Sequence, residues 1–174
     1  MKELRTIPWL TTKAIQFLDE WLKRTPEAKA LEFGCGGSTI WLSERVESLV
    51  SVEHNVKWYS RIKEHVENVD LRRMDRPYAN VVRGFPNEHF DLVLIDGRDR
   101  VECAKACWKK LKKKGLLMLD NAERARYILR YTSCLGVGIS TEQYKEVKMS
   151  QVFGMRIGRL VGGLDLRRVY GGEL

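Results

Sequence analysis

Leu31-Glu32-Phe33-Gly34-Cys35-Gly36-Gly37-Ser38-Thr39 decides the fold of this chain: an apolar run breaks into glycines, and a helical pattern starts directly behind them. Glycine at a strand-to-helix turn lets backbone N–H groups approach a ligand closely. The pattern admits a dinucleotide site, but a GxGxxG fingerprint asks for glycine or alanine at position 39, where Thr39 stands. A nicotinamide oxidoreductase is therefore the weaker of the readings that bind a nucleotide.

Working outward from the loop, the chain alternates. Ala30 to Phe33 reads as a strand, Ser38 to Val46 as a helix, Leu49 to Val52 as a strand and Val56 to Val66 as a helix. A strand is predicted near Val69 to Arg72, and an irregular stretch runs from Pro77 to Pro86. The continuous apolar run Phe90 to Ile95 suits a strand covered on both faces. Val101, Ala104, Cys107, Trp108 and Leu111 predict a helix from Arg100 to Lys113, with Gly115 ending it before a second buried strand, Leu116 to Leu119. Upstream, Thr11 or Thr12 caps a helix carrying Ile15, Leu18, Trp21 and Leu22 until Pro26. Downstream, Tyr144 to Met149 and Val152 to Leu160 are candidate strands of an antiparallel edge hairpin, with a loose tail beyond Gly162-Gly163.

This order specifies an α/β fold with a doubly wound, Rossmann-like sheet, mostly parallel, with helices on both faces. Ligands of such sheets bind outside the carboxyl ends of the strands. The 174 residues fit one domain, with residues 1–28 as an N-terminal helical segment and 162–174 as a flexible tail. The hydrophobic fraction of 44% and charged fraction of 31% are those of a globular protein, and no apolar run is long enough to span a bilayer. The opening residues lack an apolar secretory stretch, so the chain is expected to be cytoplasmic and its four cysteines to be thiols. Cys103 and Cys107, four apart on a predicted helix, have no CxxC or Cys/His partner set and read as buried thiols. The net charge of +8 keeps a nucleic-acid-binding module without turnover as a rival, supported by arginines 156, 159, 167 and 168. The densest basic run, Lys109 to Lys114, reads as a helix end whose cations complement the macrodipole.

Three constellations fall at predicted strand ends. Glu32, beside the loop of Gly34, Cys35, Gly36, Gly37 and Ser38, sets a negative charge that is awkward for a pyrophosphate. It suits the amino group of a zwitterionic or cationic ligand such as S-adenosylmethionine (SAM). Glu53 follows one βα unit later, where a carboxylate accepts hydrogen bonds from ribose hydroxyls, and His54 beside it is a candidate contact. Asp96 and the pair Asp120-Asn121 end two buried strands. They form either a hard-oxygen set for Mg²⁺ or a similar cation, or a set in which Asp96 holds the SAM or acceptor side and Asp120 or Asn121 caps a helix.

The ordered set Glu32-Phe33-Gly34-Cys35-Gly36, Val52-Glu53, Phe90 to Asp96 and Gly115 to Asn121 resembles the class I SAM-dependent methyltransferases, over roughly residues 9 to 121. LEFGCGGSTIWL and FDLVLIDGRDRVEC look like the methyltransferase-24-like domains. The resemblance implies SAM contacts by Glu32, Gly34, Gly36 and Ser38, Glu53 on the ribose, and about seven strands with the last antiparallel. Asp96, Asp120 and Asn121 also resemble the metal-binding pattern of catechol and caffeoyl-CoA O-methyltransferases. Those enzymes place a lysine base three residues after the first aspartate, whereas Asp99 stands here between Arg98 and Arg100. The expected activity is methyl transfer to an acceptor that the sequence does not identify. If that acceptor is an oxygen nucleophile, Asp96 or Asp99 would remove its proton.

Overall fold

The computed structural model describes residues 4–121 and the backbone of residues 154–156. Its elements are α1 (Thr12–Lys23), β1 (Lys29–Phe33), α2 (Gly37–Ser43), β2 (Ser48–Glu53), α3 (Val56–Lys63), β3 (Asp70–Arg73), a 3-10 helix (Tyr78–Gly84), β4 (Phe90–Ile95), α4 (Arg100–Cys107), β5 (Leu111–Leu119) and β6 (Gly154–Arg156). The strands form one sheet in the order β3-β2-β1-β4-β5-β6. The first five are parallel, and β6 runs antiparallel beside β5. Tyr144 to Met149, the other predicted strand of the edge hairpin, and the tail beyond Gly162 lie outside the described residues.

Alternation along each strand separates two cores. Leu31, Phe33, Val93 and Ile95 face one side of the sheet and pack with Tyr78, Val81 and Val82 of the 3-10 helix and Val101, Cys103 and Cys107 of α4. Ala30, Leu92 and Leu94 face the other side and pack with Ala14, Leu18 and Leu22 of α1 and Trp41 and Leu42 of α2. Both faces are covered, which accounts for the apolar run Leu92 to Ile95 of β4. Thr11 caps α1, its hydroxyl accepting the Ala14 N–H at 3.3 Å. Cys35, Cys103 and Cys107 are buried thiols, and burial raises the Cys103 thiol to about 12.

One predicted element is corrected. The helix expected to reach Lys113 ends at Cys107, and β5 begins at Leu111, upstream of the glycine that was to stop the helix. The cause is long-range pairing: Phe90 lies opposite Leu111 while Leu92 lies opposite Leu116, so Lys112 to Gly115 bulge out of the ladder. Gly115 is needed there, because a Cβ would stand 2.7 Å from the Leu111 side chain and 2.9 Å from the Asp91 carbonyl oxygen. The lysines therefore complement no helix dipole. Lys112 pairs with Asp91 at 2.9 Å, and Lys110 donates to the Phe85 carbonyl oxygen at 2.7 Å.

The order β2-β1-β4-β5 puts the topological switch point between β1 and β4. Phe33 is in register with Val52 and with Ile95, and Ile95 with Leu119. The residues at and just after these strand ends, Gly34, Glu53, Asp96 and Asp120, consequently share one edge of the sheet.

Candidate active site

At the switch point two backbones nearly touch. A Cβ on Gly34 would lie 2.7 Å from the Gly97 backbone, and one on Gly97 would lie 2.9 Å from the Phe33 carbonyl oxygen. Gly34 also has φ +95°, in the left-handed region that favours glycine. The two glycines thus set the separation of β1 and β4 at the mouth of the crevice. Gly36 is different: it is extended, and a Cβ there would meet only the Trp58 ring, at 3.8 Å. The protein itself leaves that space open. Gly37 serves a third purpose, since its Cβ would lie 2.4 Å from the carbonyl oxygens of Arg5 and Ile7, which pass over the start of α2. Gly37 is thus packed against the N-terminal segment. Cys35 is buried, and its carbonyl oxygen accepts the Trp58 indole N–H at 2.5 Å, which ties the loop to α3.

Glu32 is wholly buried and does not present a free carboxylate to the crevice. Its Oε1 accepts the Ser38 hydroxyl, and its Oε2 accepts the hydroxyls of Thr39 and Ser51, all at 2.5 Å. Thr39 Oγ1 in turn accepts the Gly36 N–H at 2.8 Å. Glu32 and Ser38, both expected as ligand contacts, take part in an internal brace joining β1, β2, the first turn of α2 and the glycine loop. Burial raises the Glu32 carboxyl to about 7, against the opposing pull of the three hydroxyls. Thr39, which marks the departure from a dinucleotide fingerprint, is the link between that carboxylate and the loop.

Glu53 ends β2 with 6% of its surface exposed. Its Oε1 accepts the backbone N–H groups of His54 and Asn55, at 2.9 and 2.8 Å, which fixes the carboxylate at the crevice edge. His54 Nδ1 lies within hydrogen-bonding distance of Glu53 Oε1, at 2.8 Å, and of the Tyr78 hydroxyl. The ring therefore orients Glu53 from behind. Burial and the Glu53 charge push the Tyr78 phenol up, so it stays protonated. The same two influences push the Cys35 thiol up.

At the other side of the switch point, Asp96 and Asp120 follow β4 and β5. Burial and the Asp120 carboxyl raise the Asp96 carboxyl above the ordinary carboxylate range. Asp99 differs: Arg76 grips it, with Nε 2.8 Å from Oδ2 and a second contact to Oδ1. That guanidinium holds the Asp99 carboxyl below the ordinary range. An ion-paired, acidified carboxylate is a poorer proton acceptor than Asp96, the other aspartate expected as a base. Asn121 adopts a left-handed φ of 53° directly behind Asp120.

The oxygen set Asp96, Asp120 and Asn121 does not fit a divalent cation, because Arg100 fills it. The Arg100 guanidinium donates to the Asp96 carbonyl oxygen at 2.7 Å and to Asp96 Oδ1 at 2.9 Å. It also reaches the Gly97 carbonyl oxygen at 3.0 Å, the Asp120 carbonyl oxygen, and Asp120 Oδ2 at 3.6 Å. Among the described residues no cluster of three His, Cys, Asp or Glu side chains suits a metal.

Sequence reasoning missed Thr39, Ser51, Trp58, Tyr78, Gly97 and Arg100. Ser51 left one signal, a polar residue inside an otherwise apolar strand. Gly97 left another, a glycine behind the second strand of the crevice. Arg100 left a local signal too, since it stands four residues after Asp96, its ion-pair partner, whereas the partners of Trp58 and Tyr78 are tertiary and leave no local pattern.

A parallel sheet with a glycine loop, an acidic strand end and a crevice at the β1/β4 switch point defines a class I SAM-dependent methyltransferase fold. The chain matches the methyltransferase domain family over residues 31–122, more than half its length, and belongs to that family. Among solved structures, the fold is similar to tRNA (m1A58) methyltransferase TrmI from Aquifex aeolicus, with TM-score 0.59 and 18% identity over 76% of this chain and 55% of that one. It is also similar to precorrin 8W decarboxylase from Methanobacterium thermoautotrophicum, with TM-score 0.57 and 21% identity over 75% and 74% of the two chains. A SAM-dependent O-methyltransferase from Thermotoga maritima gives TM-score 0.55 and 17% identity, over 78% of this chain and 52% of that one. The chain thus spans about half the length of the two methyltransferases. No curated protein matches it. Among the described residues no helix is long and apolar enough to cross a membrane.

Proposed function

We propose that this chain binds SAM at the glycine loop and transfers its methyl group to an acceptor held on the Asp96 side of the crevice. The observation that carries the reading is Gly36. Its neighbours leave room for a side chain and its backbone does not require glycine, so a closely approaching ligand is the reason for its bareness. Glu53, oriented by His54 and the Asn55 N–H, would accept the ribose hydroxyls. SAM supplies an activated methyl group when bound. The protein's own task is to align the acceptor and exclude competing water. Where the acceptor is a hydroxyl, Asp96, raised above the ordinary carboxylate range, would take its proton near neutral pH.

The nucleic-acid reading rests on the net charge and on arginines 156, 159, 167 and 168, whose side chains lie outside the described residues, and the densest lysine run supports it weakly. Lys112 and Lys113 have acidic partners in Asp91 and Glu88, and Lys110 caps a carbonyl. Titration calorimetry and thermal unfolding with SAM and with NAD test the proposal, because binding to the native state alone raises its stability. SAM is expected to bind at micromolar levels and NAD to leave both measurements unchanged. NAD binding without SAM binding would overturn the assignment.

A further inference from the structure

Arg100 has three properties that no part of the SAM site needs. It is 7% exposed, it stands in the first turn of α4 directly behind the β4 end, and its guanidinium bonds to the ends of two neighbouring strands. A guanidinium keeps its charge at every physiological pH and offers five donors in a fixed fork. Here that fork meets carbonyl oxygens of Asp96, Gly97 and Asp120 and the carboxylate of Asp96, with the Asp120 carboxylate at 3.6 Å. It supplies the positive charge between the two aspartates and also closes the gap between β4 and β5.

We propose that Arg100 is the resident cation of the acceptor side of the crevice, bonded to Asp96 and set against the Asp120 carboxylate so that the site takes no divalent metal. A Mg²⁺ or Mn²⁺ ion there would have to displace a buried guanidinium and strand its charge, or sit against it as a like charge. Either makes the ion unwelcome. Arg100 is then a positioning residue: it holds Asp96 in one orientation through Oδ1 and the main-chain carbonyl oxygen. An acceptor that depends on chelation of vicinal oxygens by a metal does not match this end of the crevice. The functional meaning of Arg100 rests on the methyltransferase reading, whereas its exclusion of metal does not.

The test is Mn²⁺ binding followed by electron paramagnetic resonance on the full chain, with SAM affinity measured by calorimetry on the same samples. The wild type is expected to leave Mn²⁺ free. Arg100→Gln removes the charge, keeps a donor, and is expected to tighten Mn²⁺ binding by about tenfold or more as two carboxylates become available. Adding Asp96→Asn should abolish that gain. One Mn²⁺ bound per wild-type chain and lost in Asp96→Asn overturns the proposal, and so does a folded Arg100→Gln protein with no gain in affinity. Should Arg100→Gln fail to fold, the comparison of wild type with Asp96→Asn decides alone. A wild type that ignores both Mn²⁺ and SAM, with the gain present in Arg100→Gln, would sink the proposed function while leaving the resident cation intact.

Discussion

Glu32 gives a prediction whose size follows from the structure. The carboxyl is enclosed by Ser38, Thr39 and Ser51 and is raised from an ordinary value of 4.5 to about 7, with burial the largest cause. Between those two values the native state holds a proton that the unfolded chain has lost, so stability is full below about pH 4.5 and falls as pH rises toward about 7. At about 1.4 kcal/mol per tenfold change in proton affinity, the fall amounts to about 3 kcal/mol. Glu32→Gln removes the titration but keeps the shape. Its oxygen can accept the hydroxyls of Thr39 and Ser51, and its amide can donate to Ser38, whose hydroxyl is free to turn. Urea unfolding of both proteins from about pH 4.5 to about pH 8 makes the comparison. The wild-type curve should fall relative to the variant by about 3 kcal/mol over that window. Asp96, also raised, adds a slope of the same sign to both proteins, so the difference between the curves isolates Glu32. Curves that stay parallel to within about 0.5 kcal/mol would refute the buried, titrating brace.

Gly36→Val should lose SAM binding and keep its stability, whereas Gly34→Ala should lose about 2 to 4 kcal/mol of stability, having a left-handed φ and the Gly97 backbone in its way. Calorimetry and urea unfolding separate the two outcomes. Glu53→Ala should weaken SAM binding by about 1 to 3 kcal/mol, the scale for hydrogen bonds to a charged group, with a smaller effect on unfolding. Asp96→Asn should slow transfer to a hydroxyl acceptor by about a hundredfold, while Asp99→Asn, already engaged by Arg76, should stay within about threefold of wild type. Turnover rates for the two variants on one acceptor decide between the carboxylates.

Most of the fold could be read from periodicity because its elements are locally consistent. The apolar runs of β1, β2 and β4 sit between glycine, proline and capping residues, and each of these three strands is found within a residue of its expected span. The error at Lys109 to Lys114 has a definite cause. Val101, Ala104, Cys107 and Leu111 keep helical spacing, yet Leu111 is claimed by a neighbour distant in sequence, Phe90. A bulge in a parallel ladder is set by the partner strand and has no local signature. The aspartates behaved likewise: their positions at strand ends were legible, but burial and the neighbouring Asp120 raise Asp96 while Arg76, distant in sequence, lowers Asp99, and these surroundings are decided by tertiary packing.

The glycine loop shows why motif reading finds a site more easily than it assigns the work within it. Gly34, Gly36 and Gly37 stand within four residues and look equivalent in the sequence. Their reasons differ: Gly34 has a left-handed backbone and meets Gly97, Gly37 lies under the carbonyl oxygens of Arg5 and Ile7, and Gly36 has room for a Cβ in ordinary contact with the Trp58 ring. A substitution at the first two must disturb the protein before any ligand is considered. A substitution at Gly36 disturbs only what enters from outside. The same division separates the acidic residues, since Glu32 is closed in by hydroxyls whereas Glu53 is held at the crevice edge by backbone donors. On the proposed reading, recognition of SAM falls on Gly36 and Glu53. Glu32, Thr39 and Gly34 act one step back, by holding the loop where a ligand would find it.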